Sequence, residues 1–146
     1  MRTDRIYKMI REAGGRLTVP TRAVVDLLVG DQRHFTADDL IAEIGCRTPG
    51  ISPSTIYRVL QRLDELGVIE HVHPGVGAAF YHLREDGHSH LLCNSCGRII
   101  DVPDELFAGL SHTVDETYSF AVEPHHAALL GRCRSCRVAD QRTASH

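Results

Sequence analysis

The run Ser52-Pro-Ser-Thr-Ile-Tyr-Arg-Val-Leu-Gln-Arg-Leu-Asp-Glu-Leu-Gly67 sets the frame for the whole chain. Ser52 followed by Pro53 is a helix start, because the serine side chain can accept from an unpaired N–H of the first turn and proline suits the first helical position. Ile56, Val59, Leu60, Leu63 and Leu66 recur at a helical period, and Gly67 ends the run. One stripe is therefore buried, and Ser54, Thr55, Tyr57, Arg58, Gln61 and Arg62 stay available. Past Gly67 the period changes. Val68 to His73 roughly alternates, Gly75 to Gly77 supplies a turn and Ala79 to Leu83 returns, which is a hairpin.

Working outward, the residues before Ser52 read as three more helices. Asp4 to Ala13 carries Ile6, Met9, Ile10 and Ala13 on one side and stops at Gly14-Gly15. A second helix starts between Thr18 and Pro20, buries Val24, Val25, Leu27 and Leu28, and stops at Gly30. Thr36 is the N-cap of a third, with Asp38 and Asp39 favourably placed in its first turn and Leu40, Ile41 and Ile44 inward. Three helices, a polar-faced fourth and a hairpin describe a winged helix-turn-helix domain over residues 1–83. Residues 84–87 read as a hinge. Residues 88–137 read as a small α/β dimerisation and metal-binding domain, making the fold class α+β. In it, Leu91 to Cys93, Ile99 to Val102 and Ala127 to Leu130 are strands, and Pro103 to about Thr117 is a helix with Leu106, Leu110 and Val114 inward. Such a piece is too small to hold much core alone and gains burial by pairing with a copy of itself. The polar tail, residues 138–146, is expected to be disordered.

Bulk properties fit a soluble globular protein: 24% charged and 42% hydrophobic residues in a chain of 146. No run approaches the roughly 18 apolar residues that span a bilayer, and the N-terminus lacks the apolar core of a secretory signal, so a cytoplasmic location and no membrane partner are expected. The net charge of -3 weighs against nucleic acid, although local charge matters more than the total.

Four of the five cysteines form two pairs, Cys93-x-x-Cys96-Gly and Cys133-x-x-Cys136. Two such turns can complete a tetrahedral sulfur shell, the arrangement zinc prefers, and the ion would then contribute directly to folding. A redox dithiol would instead need one pair at a helix start. Cys46 stands alone and reads as a small, partly buried hydrophobe. Ten histidines are an unusual number. His71 and His73 are two apart on a predicted strand, so their rings share a face, and His88 and His90 repeat the relation after the hinge. His82 sits in the returning hairpin strand, His34 precedes the third helix, and His125-His126 precede the last strand. Imidazole suits zinc, nickel, copper or iron. Asp86 and Asp101 are oxygen candidates, each with an alternative reading as a turn residue or helix start. A metal site drawing on both domains would set the spacing of two DNA-reading heads.

These motifs resemble the Fur (ferric uptake regulator) family of bacterial metalloregulators. The resemblance runs from about Asp4 to Cys136 and is sharpest at Ser54-Thr-Ile-Tyr-Arg58-Val-Leu, at His88-Ser-His-Leu-Leu-Cys93-x-x-Cys96-Gly97 and at Gly131-x-Cys133-x-x-Cys136. It implies a winged-helix domain, a dimerisation domain, structural zinc on the four cysteines and a regulatory divalent ion held by residues matching His34, His82, His88, His90 and sometimes Asp101. Within the family the chain looks most like the nickel-responsive Nur group of actinobacteria, whose nickel ligands match His71, His73 and His126. A second hinge site of that group matches His34, Asp86, His88 and His90, with Asp86 standing where the group has histidine. The zinc-sensing group places a cysteine at Leu83, which cannot bind metal. A further family site would need ligands at Gly87, Ser89 and Ala108, and only His125 remains. His82 and Asp101 preserve much of the site of the iron and peroxide sensors, so Fe2+ stands beside Ni2+ as regulatory ion.

On this reading the helix of Ser52 to Gly67 enters the major groove of double-stranded DNA, N-terminal end leading. Ser52, Ser54 and Thr55 allow close approach. Tyr57 either contacts DNA or packs. Arg58 either pairs internally or reaches the backbone. Arg16 and Arg22 flank the second helix as phosphate contacts, and Arg16 alternatively enters a narrow minor groove. A homodimer asks for a pseudo-palindromic operator. The rival classes are a metal-dependent hydrolase, a metal-storage protein and a structural zinc domain that binds protein. No nucleophile motif, phosphate loop or His-Glu-x-x-His helix is present, so no catalytic residue and no small-molecule substrate are expected.

Overall fold

The computed structural model describes residues 2–31, 33–73, 77–84, 88–122 and 128–143. The backbone falls into two compact units, one of Met1–Val72 with Ala78–Arg84, the other of Glu85–His146 with His73–Gly77. Among the described residues, no helix is long and apolar enough to cross a membrane.

The first unit runs α1 (Arg2–Glu12), α2 (Val19–Asp31), β1 (Phe35–Thr36), α3 (Ala37–Arg47), α4 (Pro53–Glu65), β2 (Ile69–Val72) and β3 (Phe80–Leu83). Its core draws one stripe from each helix: Ile6, Tyr7 and Ile10; Val24, Val25, Leu27 and Leu28; Leu40 and Ile44; Ile56, Leu60 and Leu63. Phe35, Val68, Ile69 and Leu83 close it from the sheet side. Burying side chains of this size contributes about 1.5–3 kcal/mol each, which is what holds four short helices together.

The helix ends are defined by local chemistry. At α3 the N–H of Asp39 donates to Thr36 Oγ1 at 3.1 Å and the N–H of Thr36 donates to Asp39 Oδ2 at 2.9 Å, a reciprocal capping box. The Thr36 hydroxyl, with its backbone N–H second, holds the Asp39 carboxyl below its ordinary value. At α4 the N–H of Thr55 donates to Ser52 Oγ at 3.3 Å, with Pro53 in the first turn. Its other end closes on Gly67, at φ 65°, where Val68 N–H reaches Leu63 O at 2.9 Å and Gly67 N–H reaches Asp64 O at 2.8 Å. That is a Schellman termination, and glycine suits its left-handed position.

The hairpin acquires a third strand that the sequence pattern does not announce. β1 pairs with β3 through Phe35↔Tyr81 and Thr36↔Phe80, so the sheet order is β1-β3-β2. Cys46, expected to be partly buried, is exposed. Leu40 and Ile44 fix the inner side of α3, and two residues beyond Ile44 the helix has turned outward.

The second unit contains β4 (His88–Cys93), β5 (Ile99–Pro103), α5 (Glu105–Tyr118), β6 (Ala128–Gly131) and α6 (Arg134–Thr143). β4 is central, antiparallel to β5 and parallel to β6. Among the described residues the apolar interior is small: Leu92, Cys93 and Phe107 are its buried hydrophobics. On α5 the inward side is Phe107 with the half-buried Ser111 and Val114; Val114 lies inward as the sequence suggested, but Leu106 and Leu110 do not. Leu106 and Leu110 are 64% and 46% exposed, because the helix carries two parallel apolar stripes and only one faces its own sheet. Leu129 and Leu130 of β6 are likewise exposed. The tail also differs from expectation: α6 continues through Thr143, its first turn closed by Arg137 N–H to Cys133 O at 3.0 Å.

Candidate metal centre and nucleic-acid interface

Because β4 and β6 are parallel, both deliver a cysteine at the same end of the sheet. Cys93 is the last residue of β4, and Cys133 lies two residues beyond β6. The turn after Cys93 is tight: Gly97, at φ 73°, donates its N–H to Cys93 O at 2.9 Å. Asn94 N–H donates to Gly131 O at 2.9 Å, tying that turn to the end of β6. The Sγ atoms of Cys93, Cys96, Cys133 and Cys136 all lie within 4.8 Å of one another, and none is in a disulfide. Cys96 Sγ and Cys133 Sγ are 3.8 Å apart. A tetrahedron with metal–sulfur bonds of about 2.3 Å has edges of about 3.8 Å, so the donor set fits zinc without rearrangement of that pair.

The thiols are already polarised. Cys93 is brought down to about 6, first by the backbone N–H of Cys133 (3.3 Å from its sulfur) and then by those of Cys96 and Ser95. Cys133 is lowered as well, chiefly by the backbone N–H of Cys136. Cys136 is pushed up to about 12. A hydrogen bond with Ser95 lowers it, but those with Cys133 and Cys96, burial, and the bond with Cys93 outweigh this. Backbone N–H groups aimed at sulfur favour thiolate, the form that binds metal.

Histidines gather within each unit. In the first unit, the rings of His34 and His82 are 4.9 Å apart between centroids, and His82 Nδ1 lies 2.9 Å from Leu83 O. In the second, ligand atoms of His88, His90 and Asp101 lie within 4.8 Å of one another. His90 and Asp101 are cross-strand partners on β4 and β5, with Nδ1 and Oδ1 3.0 Å apart, and the His88 ring meets His90 edge-on at 5.1 Å. Asp101 is thus a strand residue. The start of α5 falls to Asp104, whose Oδ1 accepts from the buried Ser89 hydroxyl at 2.6 Å. His71 lies on β2, with Nδ1 3.1 Å from Asp64 Oδ2. His73 follows the end of that strand, which stops at Val72, so the pair does not share a strand face as the spacing suggested. Asp86, His125 and His126 lie outside the described residues.

On α4, Ile56, Leu60 and Leu63 point inward, and the outer face carries Ser52, Ser54, Tyr57, Arg58, Gln61 and Arg62. Tyr57 is 49% exposed and therefore not packed away. Arg58 Nε donates to Ser54 O at 3.4 Å, and Arg22 Nε to Leu17 O at 3.4 Å, with the Arg22 guanidinium 5.3 Å over the Tyr7 ring. Arg16, Arg58 and Arg62 line one cavity of about 290 Å³ together with Thr21 and Thr55. Residues 1–84 hold eleven of the sixteen Lys and Arg and ten of the nineteen Asp and Glu, so the acidic excess belongs to the rest of the chain.

Residues 12–130 match the family model of the ferric uptake regulator (Fur) family. The chain belongs to the Fur family. It is 29% identical over 140 residues to the ferric uptake regulation protein of Bacillus subtilis, covering 92% of this chain and 94% of that one. It is 26% identical over 128 residues to the peroxide-responsive repressor PerR of Staphylococcus epidermidis, covering 88% and 85%. The crystal structure of the Vibrio cholerae ferric uptake regulator superposes with a TM-score of 0.71 at 25% identity, over 86% of this chain and 98% of that one. Fur-family proteins are metal-responsive transcription regulators and not enzymes.

Three polar contacts of this Fur-family chain were not legible in its sequence. Asp64 pairs with His71, Ser89 is buried against Asp104, and the buried Glu70 pairs with Arg84 at 3.0 Å. Each joins different elements, and no spacing rule flags such a pair.

Proposed function

We propose that this chain is a homodimeric, metal-dependent repressor that binds a pseudo-palindromic operator in double-stranded DNA. Structural zinc sits on Cys93, Cys96, Cys133 and Cys136, and nickel is the favoured regulatory ion. The observation that carries the reading is the outer face of α4, where exposed Tyr57 and Arg58 stand beside a serine-capped helix start whose opposite face is locked into the core. A reading helix needs that combination of a rigid back and a polar, basic front. Arg16 and Arg22 supply flanking phosphate contacts. The exposed Leu106, Leu110, Leu129 and Leu130 support pairing through the second unit.

For the regulatory ion, His71 and His73, with His126, form the nickel-type set. Leu83, in place of a cysteine, argues against the zinc-sensing subtype. His34 and His82 on one unit, and His88, His90 and Asp101 with Asp86 on the other, are the hinge ligands. An ion taking donors from both groups would fix the orientation of the DNA-reading heads. Iron(II) is the second reading, favoured by the nitrogen–oxygen set of His88, His90 and Asp101.

DNA retention by purified, zinc-counted protein, titrated separately with nickel, iron(II), manganese and zinc, tests both. Nickel is expected to give the strongest retention, and a His71→Ala/His73→Ala double variant is expected to lose that response while staying dimeric. An unchanged nickel response in the variant rules out the His71, His73 and His126 set as the nickel site (the wing site, after the hairpin that carries His71), and retention with iron(II) alone selects the second reading.

A further inference from the structure

Besides the shared apolar core, the recognition helix and the histidine-bearing strand are joined by a polar side-chain contact. Asp64 occupies the last turn of α4, and His71 lies on β2, just beyond the Gly67 turn. The neighbouring acid, Glu65, is taken up on its own helix by Gln61 Nε2 at 3.1 Å and Arg62 Nη1 at 3.3 Å. Asp64 turns the other way, and its Oδ2 lies 3.1 Å from His71 Nδ1. Both side chains are about one-third exposed, at 35% and 37%. A partly exposed pair of this kind contributes at most about 1 kcal/mol to stability, so fold stability is a poor account of it.

Its chemistry suits another task. A carboxylate at Nδ1 holds that nitrogen as the N–H donor and leaves the Nε2 lone pair as the one an ion would take. Metal-binding histidines commonly have such an outer partner, which fixes tautomer and ring orientation and raises the basicity of the ligating nitrogen. The ring also has a fixed backing. Tyr81, the cross-strand partner of His71 on β3, stacks at a tilt with centroids 6.0 Å apart.

We infer that Asp64 is a positioning residue for the wing metal site: it holds His71 through Nδ1 so that Nε2 meets the ion, and thereby ties that ligand to the recognition helix. This rests on the proposal that His71 is a nickel ligand. It adds a residue that the ligand set does not include, and a covalently short route from ligand to reading helix inside one unit. An ion drawing on His71 then pulls on the last turn of the element that reads DNA.

The test uses the full-length, zinc-loaded protein and its Asp64→Ala, Asp64→Asn and His71→Ala variants. Nickel binding by calorimetry is expected to weaken about tenfold or more in Asp64→Ala, the usual effect of removing an outer partner. Most of the affinity should return in Asp64→Asn, which keeps an acceptor oxygen, and the site should be lost in His71→Ala. Long-range nitrogen–proton NMR of the nickel-free protein supplies a readout that a merely structural role would not move. His71 should carry its proton on Nδ1 in the parent and on Nε2 in Asp64→Ala. Nickel affinity lost in His71→Ala but unchanged in Asp64→Ala overturns this inference alone, as does an unchanged His71 tautomer. Equal nickel binding by the parent and His71→Ala overturns the wing-site reading, and this inference with it.

Discussion

With zinc on the four-cysteine centre as proposed, stripping it by a strong chelator or by Cys93→Ala should unfold the second unit while the first stays folded. Among its described residues the second unit buries few apolar side chains; Leu92 and Phe107 are the large ones. At about 1.5–3 kcal/mol each they contribute roughly 3–6 kcal/mol, against an ordering cost of about 1–2 kcal/mol for every residue fixed. Structural zinc on four thiolates supplies about 10–16 kcal/mol, two- to threefold more than those side chains together. Among the described residues the first unit has sixteen buried residues in one core, and none of the four cysteines of the centre belongs to it. Hydrogen exchange followed by mass spectrometry separates the two responses. Amides of β4 and β6 should lose protection on zinc removal, and those of α2 and α4 should keep it. Full protection of β4 and β6 in a Cys93→Ala chain shown to contain no zinc would refute the reasoning, because burial alone would then suffice.

Other outcomes follow from the same structure. Thr36→Ala should cost about 0.5–2 kcal/mol in urea unfolding, as loss of an N-cap does. Since the folded Asp39 carboxyl is lowered, its share of that box is present above the ordinary carboxylate value and fades as pH falls through the lowered one, so the parent–variant gap should narrow in acid. Arg16→Ala should weaken DNA binding evenly across sequences and reduce the salt slope of log K by about 0.9, read by fluorescence anisotropy across a salt series. Leu106→Asp with Leu110→Asp should leave a folded monomer by sedimentation, since both side chains are exposed on one stripe of α5; a dimer of unchanged strength would show that another face pairs.

What could be read in advance was what local chemistry determines. Ser52-Pro53, Thr36 with Asp39 and the Gly67 stop each act within one turn, and each appears where the residues require it. The cysteine pairs were legible because two short spacings imply a shared partner, and the fold does gather all four sulfurs. Phase and pairing across distance were not. Leu106–Leu110 and Phe107–Val114 are equally regular stripes, and polar Ser111 within the second hid the inward one. β1 is two residues long and exists because β3 offers it an edge. His73 was misplaced because alternation continues past Val72 in sequence while the ladder to β3 ends there. The pairing of Asp64 with His71 has no sequence signature, because it is set by how α4 meets β2.

The parallel pairing of β4 with β6 also has a consequence for the order of assembly. A hairpin could bring both cysteine pairs together during early, local collapse, but parallel neighbours need α5 to cross between them first. Cys93 and Cys133 are 40 positions apart, and closing a loop of that length costs entropy before any sulfur–metal bond repays it. During synthesis Cys93 and Cys96 emerge well before Cys133 and Cys136, so an ion taken up early would be held by two ligands until the other pair arrives. Completion of this centre therefore waits for the second cysteine pair: a chain that stops before Cys133 can fold its α1–α4 bundle, but it cannot close the sulfur tetrahedron.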